Sequence, residues 1–416
     1  MSRLFLIDVS PLRDYPAFRY LFAARATTFF VLGILNFAVN LQIYNLTKSA
    51  LSVAMLSICV AAPMTVSMLF GGVLADRYDK RKLMMWSRTA HLGAVALLLI
   101  NAMMDQPLLW PIYGSAAIAG TAAGISMPAF MAAMPAIVGR GNLAAAAALG
   151  SLTSQASGII GPALAGLLMM QWGTVGCYGV VAIGSVLTPL FLTRLPALPP
   201  PKADAPQAKQ KVFTALRNAF SYAMASQIIA GLLLIDVAAT LFATPFAALP
   251  QFGAQVLNGD ERTIGLMFAA PAAGAFLAAF VSGWISRLER SGQALILAVC
   301  GWGFSVFALG FAPNIPLALV FLVAMGFADT VSEVLRGSLL QQHTPDHLLG
   351  RLSSLWLIQA TLTPALGNVA IGALAETQSL RISFALGGTA CLLAALAIAL
   401  WLPGFRRMAA VSEAKS

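Results

Sequence analysis

Seven side chains set in otherwise apolar stretches carry most of the chemistry open to this sequence. Asp236, Asp329 and Glu333 bring carboxyl groups that bind and release protons, and Arg336 follows Glu333 by three residues, the spacing of a helical ion pair. Arg25, Asn36 and Asn40 fall within about 60° on one face of a helix, a strip offering one cation and two amides to a polar or anionic molecule. Asp236 lies deepest, about 14 Å along its segment. A charge in such a segment is costly, so it either faces a water-filled cavity or pairs with another charge to hold helices together. Both readings stand for each residue, and Arg25 and Arg336 are near enough to a segment end to reach water by snorkelling. Other chemistry finds little support. His343 and His347 are four apart but Pro345 sits between them, which argues against a metal site. There is no GxxxxGK[ST] phosphate loop, HExxH or GxSxG, so the sequence points to no ATP-hydrolysing motor, no enzyme and no cofactor.

The elements that hold these residues follow from composition. Of 416 residues, 59% are hydrophobic and 10% charged, and the mean hydropathy is +0.83; a soluble domain carries about 25% charged residues. Apolar runs long enough to cross a bilayer recur along the chain. They predict an all-α membrane protein with twelve transmembrane helices in two six-helix bundles. The spans read as 20–44, 51–75, 83–104, 108–133, 147–170 and 174–194, then 227–251, 263–286, 293–312, 316–339, 353–375 and 380–402. The shortest turns fall at Asp105–Pro107 and Trp172–Gly173. Cys59, Cys177, Cys300 and Cys391 lie inside apolar runs and read as small packing residues.

Basic residues orient the spans, because Lys and Arg are enriched in short cytoplasmic loops. Arg3, Arg13 and Arg19 precede the first span, Arg77 to Lys82 fill the second-to-third loop, and Arg140, Arg194–Arg217, Arg287 with Arg290, Arg351 and Arg406 with Arg407 take every alternate loop. The opposite side receives Lys48, Arg262 and Arg381. Both termini are therefore expected in the cytoplasm, and the net charge of +10 reads as topology, not as a nucleic-acid surface. Leu4–Ile7 is too short an apolar run for a cleavable signal. Leu195–Gln210, LPALPPPKADAPQAKQ, reads as an extended, solvated connector, and Lys211–Ala225 as a short amphipathic helix on the cytoplasmic surface. The domains are then an N-terminal bundle (1–194), a linker (195–226) and a C-terminal bundle with its tail (227–416). Two such halves are what a transporter built from repeats would show.

Three stretches sharpen this. Gly71–Lys82, GGVLADRYDKRK, places Gly72, Asp76, Arg77 and Arg81 in the second-to-third loop, with Asp79 where a glycine is usual. It resembles the cytoplasmic signature of the major facilitator superfamily, which implies a cytoplasmic gate in which Asp76 meets the N-terminus of the eleventh span. Gly283–Arg290, GWISRLER, occupies the equivalent loop of the second half without the acid. Gly158, Gly161, Pro162 and Gly166 (GIIGPALAG) are similar to the fifth-helix motif of exporters in that superfamily and also read as plain small-residue packing. The fourth span lacks the arginine of many drug–proton antiporters. Tyr15–Arg25, Asp236–Pro250 and Asp329–Arg351, with Thr344, Pro345, Asp346, Gly350 and Arg351 in the tenth-to-eleventh loop, resemble the enterobactin exporter group.

The resemblance implies that the first, fourth, seventh and tenth helices line a substrate path. It implies secondary, proton-coupled export of a siderophore by a monomer in the bacterial cytoplasmic membrane, with a small molecule, protons and the lipid bilayer as partners. Multidrug or macrolide efflux by the same antiport mechanism is the alternative. A passive channel or a membrane enzyme is disfavoured by the repeat, the gate signature and the missing catalytic motifs.

Overall fold

The computed structural model describes residues 8–199, 212–281 and 290–408, and these are helical with no strand among them. In lipid a backbone satisfies its polar groups most simply within a helix, and the apolar runs do so. The helices are α1 (Ser10–Asp14), α2 (Pro16–Thr47), α3 (Ala50–Arg77), α4 (Lys80–Ala102), α5 (Leu109–Val138) and α6 (Leu143–Thr193). They continue with α7 (Val212–Ala225), α8 (Gln227–Phe242), α9 (Leu249–Gln251, running into a π-helical turn over Phe252–Val256), α10 (Glu261–Val281), α11 (Ser291–Gly310) and α12 (Ile315–His343). The last three are α13 (Asp346–Thr377), α14 (Leu380–Trp401) and α15 (Pro403–Arg406). Among the described residues ten helices are long and apolar enough to cross a membrane, or eleven if α8 is joined to the end of α7, against which it bends by 105°.

Side-chain caps start several of these helices. Asp79 accepts from Lys82 N at 3.1 Å to open α4, and Asn314 accepts from Leu317 N at 3.0 Å to open α12. Asp260 accepts from the Thr263 amide and hydroxyl at 2.8 and 2.6 Å before α10, and these bonds hold its carboxyl below the usual carboxylate range. The break inside α6 falls at Gly173, whose φ of 63° and ψ of −163° leave the helical region. A positive φ costs glycine little, which suits it to this turn.

The chain divides into two compact units, Met1–Thr47 with Cys59–Ala205 and Lys48–Ile58 with Pro206–Ser416. In the first, α2 lies along α6, with Gly33 against Gly161: a Cβ on Gly33 would meet Ser157 O at 2.8 Å and Gly161 Cα at 3.2 Å. Gly120 and Gly124 of α5 press on α3 in the same way, Gly124 against Met64 and Ser67. One core of this unit gathers Phe18, Leu21, Leu83, Ala133 and Leu149. Leu195 and Leu198 belong to it too, at 2% and 8% exposure. The first residues of the expected connector are thus packed rather than solvated, because two leucines among its prolines find an apolar seat. Residues 200–211 and GWISRLER up to 289 lie outside the described residues.

In the second unit, α10 crosses α12 where Gly326 meets the backbone of Pro271, and α8 meets α13 where Gly367 presses on Thr240 and Leu241. The first turns of α3 belong here: Ser49 Oγ, just before it, donates to Glu376 Oε1 at 2.5 Å and Asn368 Nδ2 to Ser57 Oγ at 3.0 Å. The span expected over 227–251 is corrected by the structure. Its helix stops at Phe242, ahead of Pro245 and Pro250, which supply no backbone N–H and disfavour helix before them.

Candidate functional site

The break after α8 opens beside a cavity of about 380 Å³ in the second unit. Backbone groups freed there are taken up by side chains, as an irregular segment in lipid requires. Trp302 Nε1 donates to Ala243 O at 2.7 Å, and Ala247 N donates to Asn368 Oδ1 at 3.1 Å. Thr240 and Thr244 return their hydroxyls to Asp236 O and Thr240 O at 2.8 and 2.6 Å.

Asp236, on α8, is buried to 2% exposure and forms an ion pair with Arg336 of α12. Its other oxygen accepts from Gln359 Nε2 of α13 at 2.9 Å, and the same amide donates to Leu233 O at 2.9 Å. Arg336 is itself 6% exposed and gives its Nε to Ser332 O at 3.3 Å. The Glu333–Arg336 pair expected from their spacing is therefore replaced by a pair between helices: Arg336 is buried and turned to Asp236, whereas Glu333 lies on the exposed side of α12. Asp329 and Glu333 line the cavity one turn apart. Neither is in a hydrogen bond or ion pair among the described residues, and like charges at that spacing repel. The site thus holds one neutralised carboxylate–guanidinium pair and, beside it, two carboxyl groups that line the cavity.

The sequence matches the transmembrane secretion effector family over residues 7–416. The chain belongs to that family. The family lies within the major facilitator superfamily, and the protein is a multi-pass membrane transporter, not an enzyme. Curated relatives include the enterobactin exporter EntS of Citrobacter koseri, 32% identical over 97% of this chain and 95% of the relative. EntS of Shigella boydii is 33% identical with the same coverage. Among solved structures, a POT family transporter in complex with a thioalcohol-conjugated peptide aligns with a TM-score of 0.76 at 12% identity, covering 93% of this chain and 96% of that one. The nucleoside transporter NupG aligns at 0.75 and 12% identity, with 92% and 99% covered. At such identities the likeness speaks for the fold alone.

The remaining candidates fall in the first unit. Asn40 is buried and spends its amide on Asn36, donating to its carbonyl at 2.6 Å and to its Oδ1 at 2.9 Å, while Asn36 stays exposed. Arg25 shares the side of α2 with Asn36 but stacks on rings, its guanidinium carbon 3.9 Å from the Phe130 centroid and 4.8 Å from that of Phe29. The signature expected in a loop lies instead on the end of α3, where Asp76 and Arg77 are exposed and a Cβ on Gly72 would meet nothing within 4 Å. The rest of the signature, at the start of α4, is tied down. Arg81 donates to Thr193 O at 2.7 Å at the end of α6, Lys80 Nζ to Pro199 O at 3.2 Å, and Asp79 accepts from Leu198 N at 2.8 Å. The residue that departs from the superfamily pattern thus caps α4 and anchors the segment after α6. Of the fifth-helix motif, Gly161, Pro162 and Gly166 are buried and Gly158 half-buried.

Gln359, Trp356, Arg88 and His91 are polar groups of these two regions that the sequence reading missed. Arg88, a charge inside 83–104, carried the same signal as Arg25. Gln359 carried none, being one neutral amide among several polar residues of its helix.

Proposed function

We propose that this protein exports an enterobactin-like siderophore across the bacterial cytoplasmic membrane by proton-coupled secondary transport. The observation that carries the reading is its likeness to enterobactin exporters along nearly the whole chain, 33% identity over 97% of it. The site is consistent with the coupling: Asp329 and Glu333 are the proton carriers, and Asp236 with Arg336 and Gln359 is the fixed element beside them. One charge crossing about 100 mV supplies about 2.3 kcal/mol, enough for modest uphill export. The transporter works as a monomer with both termini cytoplasmic. Its twelve spans form two six-helix bundles, 1–194 and 227–416, joined by 195–226. α6 supplies two of the spans, since its 51 residues reach about 76 Å and the hydrocarbon core is about 30 Å thick. Gly72, Asp76, Arg77 and Arg81 serve as the cytoplasmic gate. Asp76→Asn should depress export with folding unchanged, and wild-type rates in that variant would reduce the motif to a topological signal.

Inside-out vesicles with an acidified lumen test the function. Wild-type vesicles should accumulate enterobactin. Asp329→Asn or Glu333→Gln should abolish the response to the pH gradient while enterobactin counterflow continues. Acids that merely hold the fold would lose both together. Accumulation of a macrolide or dye in place of the siderophore would move the substrate class to drug efflux.

A further inference from the structure

The interior of the first unit carries positive charge without compensation. Arg25 of α2 and Arg88 of α4 lie within electrostatic range of each other, and Arg88 of His91. No Asp or Glu occurs in α2, α4, α5 or α6, and the one acid of α3 is Asp76 at its end. A charge taken out of water is normally paired, yet no carboxylate is placed here to do so. Stacking on Phe29 and Phe130 covers the faces of the Arg25 guanidinium and leaves its in-plane N–H groups; the buried Nε has no acceptor among the described residues. His91 is 6% exposed, and its Nε2 likewise has no partner. Arg25 as a whole is only half-buried. Gly150 of α6 is half-exposed, and a Cβ there would meet only Arg25 Nε, at 4.0 Å.

We infer that this cluster is the receiving site for an anionic aromatic group of the exported molecule. Arg25 presents its planar fork to the anion, Phe29 and Phe130 border the ring, Arg88 maintains a positive field behind them, and His91 offers a neutral ring N–H. A planar fork suits an oxygen pair on a ring, the arrangement in a catecholate or a salicylate. The inference deepens the siderophore reading and rests on it only for the identity of the natural ligand.

Binding to the full-length protein in nanodiscs tests it, with enterobactin and salicylate as probes and a thermal melt to verify folding. R25Q and R88Q should each weaken both probes about tenfold or more, the order of one charge-assisted hydrogen bond. R25K, which keeps the charge but not the fork, should fall between R25Q and wild type. G150V, which fills the space and leaves every charge in place, should weaken binding as well. Wild-type affinity in R25Q and R88Q overturns the site while leaving siderophore export standing. Arginine-dependent binding of salicylate with none of enterobactin supports the site and overturns the siderophore reading. A wild-type protein that binds neither probe overturns the inference.

Discussion

At the residue scale the decisive contact is Asp236 with Arg336, two charges almost wholly removed from solvent. Breaking a buried pair by deleting one member costs about 3–5 kcal/mol, because the other charge is stranded. Asp236→Asn and Arg336→Gln should therefore each lower the melting temperature in detergent, and the double variant should recover much of the loss. Additive losses in the double variant would mean that the two residues do not act on one another. Gln359 complicates the first variant usefully: with Asn at 236 its amide still finds an acceptor, so the remaining defect reports the stranded guanidinium. Asp329 and Glu333 are a different kind of acid. Their substitution removes no pair, and the expected loss is of coupling rather than of stability.

At the scale of elements the break between α8 and α9 shapes the candidate site. Two prolines stop the helix, and Trp302 and Asn368 from neighbouring helices take over the backbone groups that result. Trp302→Phe keeps the ring packing and removes one buried bond, so it should destabilise the protein by about 1–3 kcal/mol. Amide hydrogen exchange should rise locally over residues 243–250; unchanged exchange there would assign the bond no part in holding the break. The loop between α3 and α4 shows the same economy. Residues recognised as a gate signature divide into exposed Asp76 and Arg77, and Lys80 and Arg81, which cap the end of α6 and the segment after it.

For the whole molecule the proposed topology is open to a direct test. Lys80 is a poor position for a reporter, since it is buried and bonded to Pro199, and Glu376 is engaged with Ser49. Lys82 and Gln378 are exposed. With the four native cysteines replaced, Lys82→Cys should resist an impermeant maleimide in intact cells and react after permeabilisation, whereas Gln378→Cys should react in both. Labelling of position 82 in intact cells would invert the orientation. Charge is also divided between the two units. In the first, Arg25 and Arg88 lie on helices α2 and α4 that carry no acid, and in the second three acids and one arginine line one cavity. That division suits a substrate anion handled by one unit and a proton by the other.

Most of the apolar helices and the turn at Gly173 were legible in the sequence because each is a local property, the exception being the helix that stops at Phe242. Lipid obliges a segment to satisfy its own backbone, so composition over about 20 residues decides whether it crosses. The residues of the site were legible for a related reason: a charge inside such a segment stands out. Its partner did not. Spacing along α12 favours Glu333 for Arg336, but the rotation of α12 against α8 and α13 brings Asp236 and Gln359 to it instead, from 100 residues before and 23 after. Likewise no local signal marks Leu195 and Leu198 as core among prolines, or tells that the bond lost at Ala243 is restored by Trp302. Those outcomes belong to the relative placement of helices, which is set by close contacts such as Gly326 with Pro271 and Gly33 with Gly161. Periodicity within a helix shows which residues share a face, and only the packed structure decides what that face meets.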